Sequence, residues 1–214
     1  PIESEKTPDG KFKLAQLVRA NRELERVCRA YRLPCVSGKD SMKNDYGKGA
    51  NKISIPPTLL FSLFGDHPDV RMTATSDLKD AGEKLYLVGE SMNELGALEI
   101  SFMFRDENPS MGIGGNVPSL PNPENNLNTY RTLSRTIRQG LVQTSHDCSE
   151  GGVGVAIAEM CIGGRIGATI DLDGTGDNSL WARLWGESLG RFIIGVKPEN
   201  EDKWLNEMAG HKVT

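Results

Sequence analysis

Ser145-His-Asp-Cys-Ser-Glu-Gly-Gly152 gathers an imidazole, two carboxylates, two hydroxyls and a thiol into eight residues, and its glycine pair opens an apolar run. That run, Val153-Gly-Val-Ala-Ile-Ala-Glu-Met-Cys-Ile162, is apolar nearly all round and predicts a helix buried on most sides. Ahead of the cluster, Gly140-Leu-Val-Gln-Thr144 predicts a short buried strand. The polar residues therefore fall between a strand's C-terminal end and a helix's N-terminal end. There, free N–H groups and the helix dipole favour an anion, and adjacent carboxylates can hold a metal that accompanies it. An ordinary capped turn, with Ser149 or Asp147 as N-cap, fits the same spacing, and both readings stay open.

The elements around this stretch predict an α/β chain. Upstream, Leu127, Tyr130, Leu133 and Ile137 share one face of a helix over residues 125–139, with Gly140 as its C-terminal cap. Strands are expected at 84–89 and 167–172, and a short helix with two tryptophans at 180–185. A turn carrying Gly186, Glu187, Ser188 and Arg191 runs into a buried strand, and a helix over 198–209 precedes a further strand that starts at His211. Nearer the N-terminus, Leu14, Leu17, Val18, Leu24, Val27, Cys28 and Tyr31 predict an amphipathic helix over 11–32 with one face packed, stopped by Pro34. Residues 53–64 read as a strand entered through Pro56-Pro57. A domain boundary is expected near residue 82, dividing 1–82 from 83–214.

The bulk properties narrow the class. An apolar content of 37% with 25% charged residues is that of a soluble globular protein, and a net charge of −4 argues against a broad basic surface for nucleic acid. Nothing approaches eighteen consecutive apolar residues, and the first residues lack the basic and apolar regions of a signal peptide, so no membrane partner and a cytoplasmic location are expected. The four cysteines show neither CxxC pairing nor zinc-site spacing, which fits reduced thiols. Cys148 is expected to be a small packing residue rather than a nucleophile.

A second polar loop, Ser37-Gly-Lys-Asp-Ser-Met-Lys-Asn44, follows a short apolar segment. Gly38 permits close backbone approach, Lys39 has the charge to neutralise phosphate, Asp40 offers oxygen to Mg²⁺, and Ser37 and Ser41 supply hydroxyls. No first glycine stands where a Walker A loop needs it. Two further polar, glycine-rich excursions, over residues 45–52 and 111–123, read as surface loops. Together with an apolar surface meant for absent neighbours, they predict self-association of this piece alone.

Taken in order, the Ser37–Asn44 loop, Glu94-Leu-Gly, His146-Asp-Cys-Ser-Glu-Gly-Gly152, and Gly186-Glu-Ser188 with Arg191-Phe192 resemble part of the second half of the phosphoribosylformylglycinamidine synthase family. That family belongs to the ATP-binding superfamily that also holds aminoimidazole ribonucleotide synthetase. The resemblance covers nearly the whole chain. It implies a fold with the end of a ferredoxin-like N-terminal domain, followed by a C-terminal α/β domain with a mixed sheet, truncated here. It also implies ATP-dependent amidation of formylglycinamide ribonucleotide, with ADP and phosphate released, Mg²⁺ as cofactor, and ammonia from a glutaminase domain or subunit.

Residue by residue, the resemblance makes Asp147 a magnesium ligand, Ser149 and Gly38 nucleotide contacts, and Ser41 a substrate contact. It gives Gly186, Ser188 and Arg191 to the substrate's ribose phosphate, with Arg191 alternatively tying its own turn to Glu187. Lys39 and Asp40 are added on charge alone, as substrate and metal contacts. His146 is the candidate acid or base, or else a hydrogen-bonding member of the turn. The family's upstream histidine, lysine and metal-binding carboxylates have no counterpart in the chain, so the remaining domains of the same enzyme are expected partners. Another superfamily member, or a nucleotide-binding module without catalysis, is the alternative.

Overall fold

A computed structural model describes residues 10–41, 44–47, 51–54, 56–104, 115–175 and 179–214. The chain divides into two compact units, Pro1–His67 and Pro68–Thr214. The glycine-rich runs 48–50 and 111–114, Met42 and Lys43 of the second polar loop, and 176–178 of the turn after Asp173 lie outside the described residues.

The first unit is built on helix α1, Gly10–Tyr31. It stops because Arg32 takes a left-handed backbone (φ 56°) and Leu33 N–H donates to the Cys28 carbonyl at 3.0 Å, with Pro34 following. Intrahelical pairs Arg26–Glu23 and Arg29–Glu25 line the outside. The expected face is only partly packed here: Leu17, Leu24, Val27, Cys28 and Tyr31 are half-buried, whereas Leu14 and Val18 are exposed, as is Phe12 outside that face. Strands β1, Asp45–Tyr46, and β2, Ile53–Ser54, form a two-residue antiparallel ladder, pinned by Lys52 Nζ to Asp45 Oδ2 at 2.9 Å. The strand expected over 53–64 ends at Ser54. Pro56 and Pro57 supply no N–H to a ladder, and Leu59–Phe64 runs on as irregular, exposed chain.

The second unit carries a three-stranded antiparallel sheet in the order β3-β5-β4, where β3 is Lys84–Val88, β4 is Thr144–Asp147 and β5 is Phe192–Val196. Its registers pair Tyr86 with Ile194 and His146 with Ile193. Each outer edge takes one bridge, antiparallel from Val88 to Val213 and parallel from Thr75 to Thr144, so pairings of both senses occur. Alternation along the strands sends Val88, Ile194 and Val196 to one face and Leu87 and Ile193 to the other.

Helices cover both faces. On the Val88 face lie α3 (Pro123–Arg138) and α6 (Glu201–Glu207), contributing Leu133 and the fully buried Trp204. Asn122 starts α3 by accepting from Asn125 N–H at 3.1 Å, with Pro123 in the first turn. On the Leu87 face lies α4 (Gly152–Gly164), contributing Val153, Ala156 and Met160. A third cluster joins α2 (Glu99–Phe104) to α5 (Leu180–Trp185) through Ile100 and Ala182, with Leu95 and Leu98. The architecture is mixed α/β.

Two strand expectations are corrected in this unit. The strand expected over 140–144 begins at Thr144 and runs to Asp147, so His146 and Asp147 belong to the sheet itself. Residues 167–172 form no strand: they make no ladder with β3, whose Leu87 pairs with Thr214 instead. They line a cavity of about 550 Å³ against β3 and α4. Among the described residues no helix is long and apolar enough to cross a membrane.

Candidate functional site

Strand direction sets the site. The ends of β3 and β4 and the start of β5 meet at one margin of the sheet, and the Cys148–Gly151 loop leaves that margin for α4. Gly151 and Gly152 both have positive φ, 77° and 62°. A Cβ on Gly151 would lie 2.3 Å from Val155 Cγ2, and one on Gly152 would lie 2.3 Å from the Gly186 carbonyl oxygen. Gly152 is therefore what lets the 186–188 turn press against the start of α4, while Gly151 makes room for Val155 of the same helix.

Within this loop the Asp147 carboxylate is largely exposed and accepts a hydrogen bond from Ser149 Oγ. The Ser149 carbonyl accepts from Gly152 N–H at 3.0 Å. Glu187 Oε1 accepts from Gly151 N–H at 2.9 Å, a carboxylate on the positive end of α4. His146 is mostly buried: Nδ1 lies 2.7 Å from the Asp147 carbonyl and Nε2 lies 3.0 Å from Glu159 Oε2 on α4. Both ring nitrogens thus face acceptors, and the imidazole acts as acid or base only by releasing one of them.

Gly186, Ser188 and Arg191, the residues expected to meet a ribose phosphate, are all buried. Arg191 is 1% exposed. Its Nε donates to the Ser188 carbonyl at 3.1 Å, Nη1 to Ser91 Oγ at 3.0 Å, and Nη2 to the Gly186 carbonyl. Burial lowers its pKa, opposed by the thiol of Cys148 and the carboxylates of Glu94 and Glu187. Ser188 is fully buried, and its Oγ accepts from Met92 N–H at 3.0 Å. Both hold the turn from inside, and Gly186 is buried beneath it. Glu187, the alternative partner of Arg191, accepts a hydrogen bond from Gly151 N–H and acts on Arg191 through its charge. Cys148 is buried and its thiol is pushed up to about 11, chiefly by desolvation, which suits a packing residue and not a nucleophile.

Two carboxylates here were not singled out as site residues from the sequence. Glu187 is one; its contact lies 36 residues away, beyond any local pattern. Glu94 is the other, 3% exposed, with Oε1 accepting from Ser119 N–H at 3.0 Å and from Ser119 Oγ at 2.7 Å. The Glu94-Leu-Gly motif was its only signal.

Gly38, Lys39, Asp40 and Ser41 belong to the first unit and are all exposed. Lys39 Nζ donates to the carbonyl of Asp40. A Cβ on Gly38 would meet nothing within 4 Å, so no packing among the described residues calls for glycine there. For a metal, the described residues hold no group of three or more His, Cys, Asp or Glu side chains that converge. Asp147 fits as a single exposed carboxylate ligand, which Mg²⁺ accepts when phosphate oxygens and waters complete its shell.

Residues 80–214 match the family model described as AIR synthase related protein, C-terminal domain. The PurL subunit of phosphoribosylformylglycinamidine synthase from Deinococcus radiodurans is 35% identical over 182 residues, covering 85% of this chain and 24% of that protein. Among solved structures, Thermotoga maritima PurL complexed with FGAR aligns with 67% of the chain and 24% of its own, at 20% identity and a TM-score of 0.54. Phosphoribosylformylglycinamidine synthase II from the same organism aligns with 68% and 22%, at 19% identity and a TM-score of 0.52. These structural likenesses concern the fold, and the chain spans about a quarter of the length of each relative. With the family model spanning more than half of its residues, the chain belongs to the AIR synthase-related family.

Proposed function

We propose that this chain is part of a phosphoribosylformylglycinamidine synthase. In this reading the whole enzyme uses ATP to activate the amide oxygen of formylglycinamide ribonucleotide, and ammonia from a glutaminase domain or subunit displaces phosphate to give the amidine. The observation that carries the reading is the 35% identity with the Deinococcus radiodurans PurL subunit over 182 residues. Phosphoryl transfer relies on positioning and charge neutralisation, and the margin around Asp147 offers both an exposed carboxylate and the N-terminal end of α4.

Asp147 is the residue proposed to reach a magnesium ion, which when bound with nucleotide neutralises phosphate charge. Ser149 orients that carboxylate and contacts the nucleotide. In the first unit, Gly38 admits the ligand's close approach, Ser41 and Lys39 contact substrate, and Asp40 is a further oxygen donor to metal. His146 orders the loop and is available for proton transfer once freed from Glu159. Gly186, Ser188 and Arg191 act on the substrate through the shape of their turn rather than by direct contact. Residues 1–82 are taken as the end of an N-terminal-type domain and 83–214 as a C-terminal-type domain of this cytoplasmic enzyme.

The test is ADP release by the full-length gene product given Mg-ATP, ammonia and formylglycinamide ribonucleotide, compared with formylglycinamidine ribonucleotide in its place. Turnover with the formyl-amide is expected, and Asp147→Asn should lower it about 100-fold or more. Turnover with the amidine alone would move the protein to the cyclising synthetase. Magnesium-dependent nucleotide binding with no turnover would favour a non-catalytic module.

A further inference from the structure

The first unit holds a pair of thiols that the proposed reaction does not use. Helix α1 ends in a reversal, with Arg32 at φ 56° and the Leu33 N–H returning to the Cys28 carbonyl, and Pro34 then directs the chain back along the last turns. The consequence is that Cys35 Sγ stands 3.8 Å from Cys28 Sγ, close to van der Waals contact, although seven residues separate them. Cys35 is exposed and Cys28 half-buried, so small solutes reach the pair, whereas Cys148 is buried.

We propose that Cys28 and Cys35 form a dithiol modification site that a small-molecule disulfide converts to an intramolecular disulfide. Cys35 is the exposed thiol of the pair and so the first attacker, while the pKa of the half-buried Cys28 is raised by desolvation and then by the neighbouring Cys35. Its thiolate displaces one thiolate from the small disulfide and forms a mixed disulfide. The Cys28 thiolate then attacks the Cys35 sulfur and expels the second. One S–S bond breaks in the reagent and one forms in the protein. The two protein thiols lose two electrons to the reagent, and their two protons end on the two small thiols released. Side-chain rotation closes the sulfurs from 3.8 Å to the roughly 2 Å of a bond.

The bond would fasten residue 35 to the helix two residues ahead of Ser37, at the entry to the exposed Gly38–Ser41 loop. In a reducing compartment an exposed bridge of this kind is transient and reports oxidation. The inference does not depend on which reaction the whole enzyme performs.

The experiment incubates the native full-length gene product with oxidised glutathione, blocks remaining thiols, digests with trypsin and maps the cysteines by mass spectrometry. Residues 27–29 joined to residues 33–39 are expected, reversed by dithiothreitol, and formed at least about tenfold faster in the folded protein than in urea. In Cys28→Ser, Cys35 should instead be recovered carrying glutathione. The proposal is overturned if the wild-type protein yields separate glutathione adducts on the two cysteines, a bridge to another cysteine, no reaction, or the same bridging rate folded and in urea.

Discussion

Helix α1 is amphipathic and helix α4 apolar nearly all round, yet α1 leaves part of its apolar face to solvent while α4 buries one side in a core. In α1 the stripe runs from half-buried residues such as Leu24 and Val27 to Val18 at 43% exposure, while in α4 Val153 and Met160 are 2% and 0% exposed and Ile162 on the far side is 76% exposed. The difference lies in what each helix has to pack against. α4 lies on the Leu87 and Ile193 face of a sheet, and its glycines admit close neighbours: a Cβ on Gly154 would be 2.7 Å from the Trp185 ring, and one on Gly164 would be 2.2 Å from the Leu78 carbonyl oxygen. The first unit has a two-residue ladder and an irregular apolar segment, neither of which makes a face. Periodicity thus specifies a helix and the side it would bury, and only tertiary partners decide whether burial happens.

The hardest way to break the burial of α4 is at its first residue. Gly152→Ala would put a side chain on a left-handed backbone and within 2.3 Å of the Gly186 carbonyl oxygen, where the obstacle is backbone. A loss of roughly 3 to 5 kcal/mol is expected, from the left-handed penalty and overpacking together. Urea denaturation checks it; a loss under about 1 kcal/mol would mean that the turn and helix do not press together as described. Next in size, Met160→Ala should cost about 2 to 5 kcal/mol by opening a cavity, whereas Val18→Ala on α1 should stay within about 0.5 kcal/mol. Equal costs at the two positions would remove the contrast.

The first unit's exposed apolar chain gives a prediction about association. Leu60 and Phe64 are 91% and 93% exposed, flanked by other exposed apolar side chains. This chain alone should self-associate, and Leu60→Asp with Phe64→Asp should shift it towards monomer in light scattering. A monodisperse wild-type monomer would show that this surface is not adhesive.

Much of this contrast was legible in the sequence, and the parts that were not have a common cause. The helices at 10–31, 123–138, 152–164 and 180–185 follow from local spacing and end signals, so their residues suffice. The stretches 53–64 and 167–172 have strand composition, but a strand needs a free edge beside it, which composition does not reveal. At the sheet margin, the chemistry of Asp147, Ser149 and His146 could be read from residue type and position. The inward turn of Arg191 could not, because its partner Ser91 lies 100 residues away. An arginine beside glycines reads the same whether it meets a phosphate or three oxygens of its own protein.

The smallest effect concerns the tie between the second unit's α4 and β4. Asp77 sits just ahead of Leu78, whose N–H donates to the Met160 carbonyl, and the Asp77 carbonyl accepts from Thr144 Oγ1. Its carboxylate is held by Lys79 Nζ at 2.5 Å and by Thr75 Oγ1 at 2.6 Å, and these contacts, Lys79 foremost, lower its pKa from 3.8 to about 2. A carboxylate with a depressed folded pKa contributes stability that is fully present above its unfolded value and is lost as pH falls through the folded one. The contribution should therefore fade between about pH 4 and pH 2, and Asp77→Asn should flatten the stability profile in that window, with its small loss showing near pH 7 and vanishing near pH 2. Thermal melts of both proteins across that range measure it. An unchanged acid slope in Asp77→Asn would mean that the ion pair adds nothing to what α4 already gains from its buried face, and that the burial of α4 rests on packing alone.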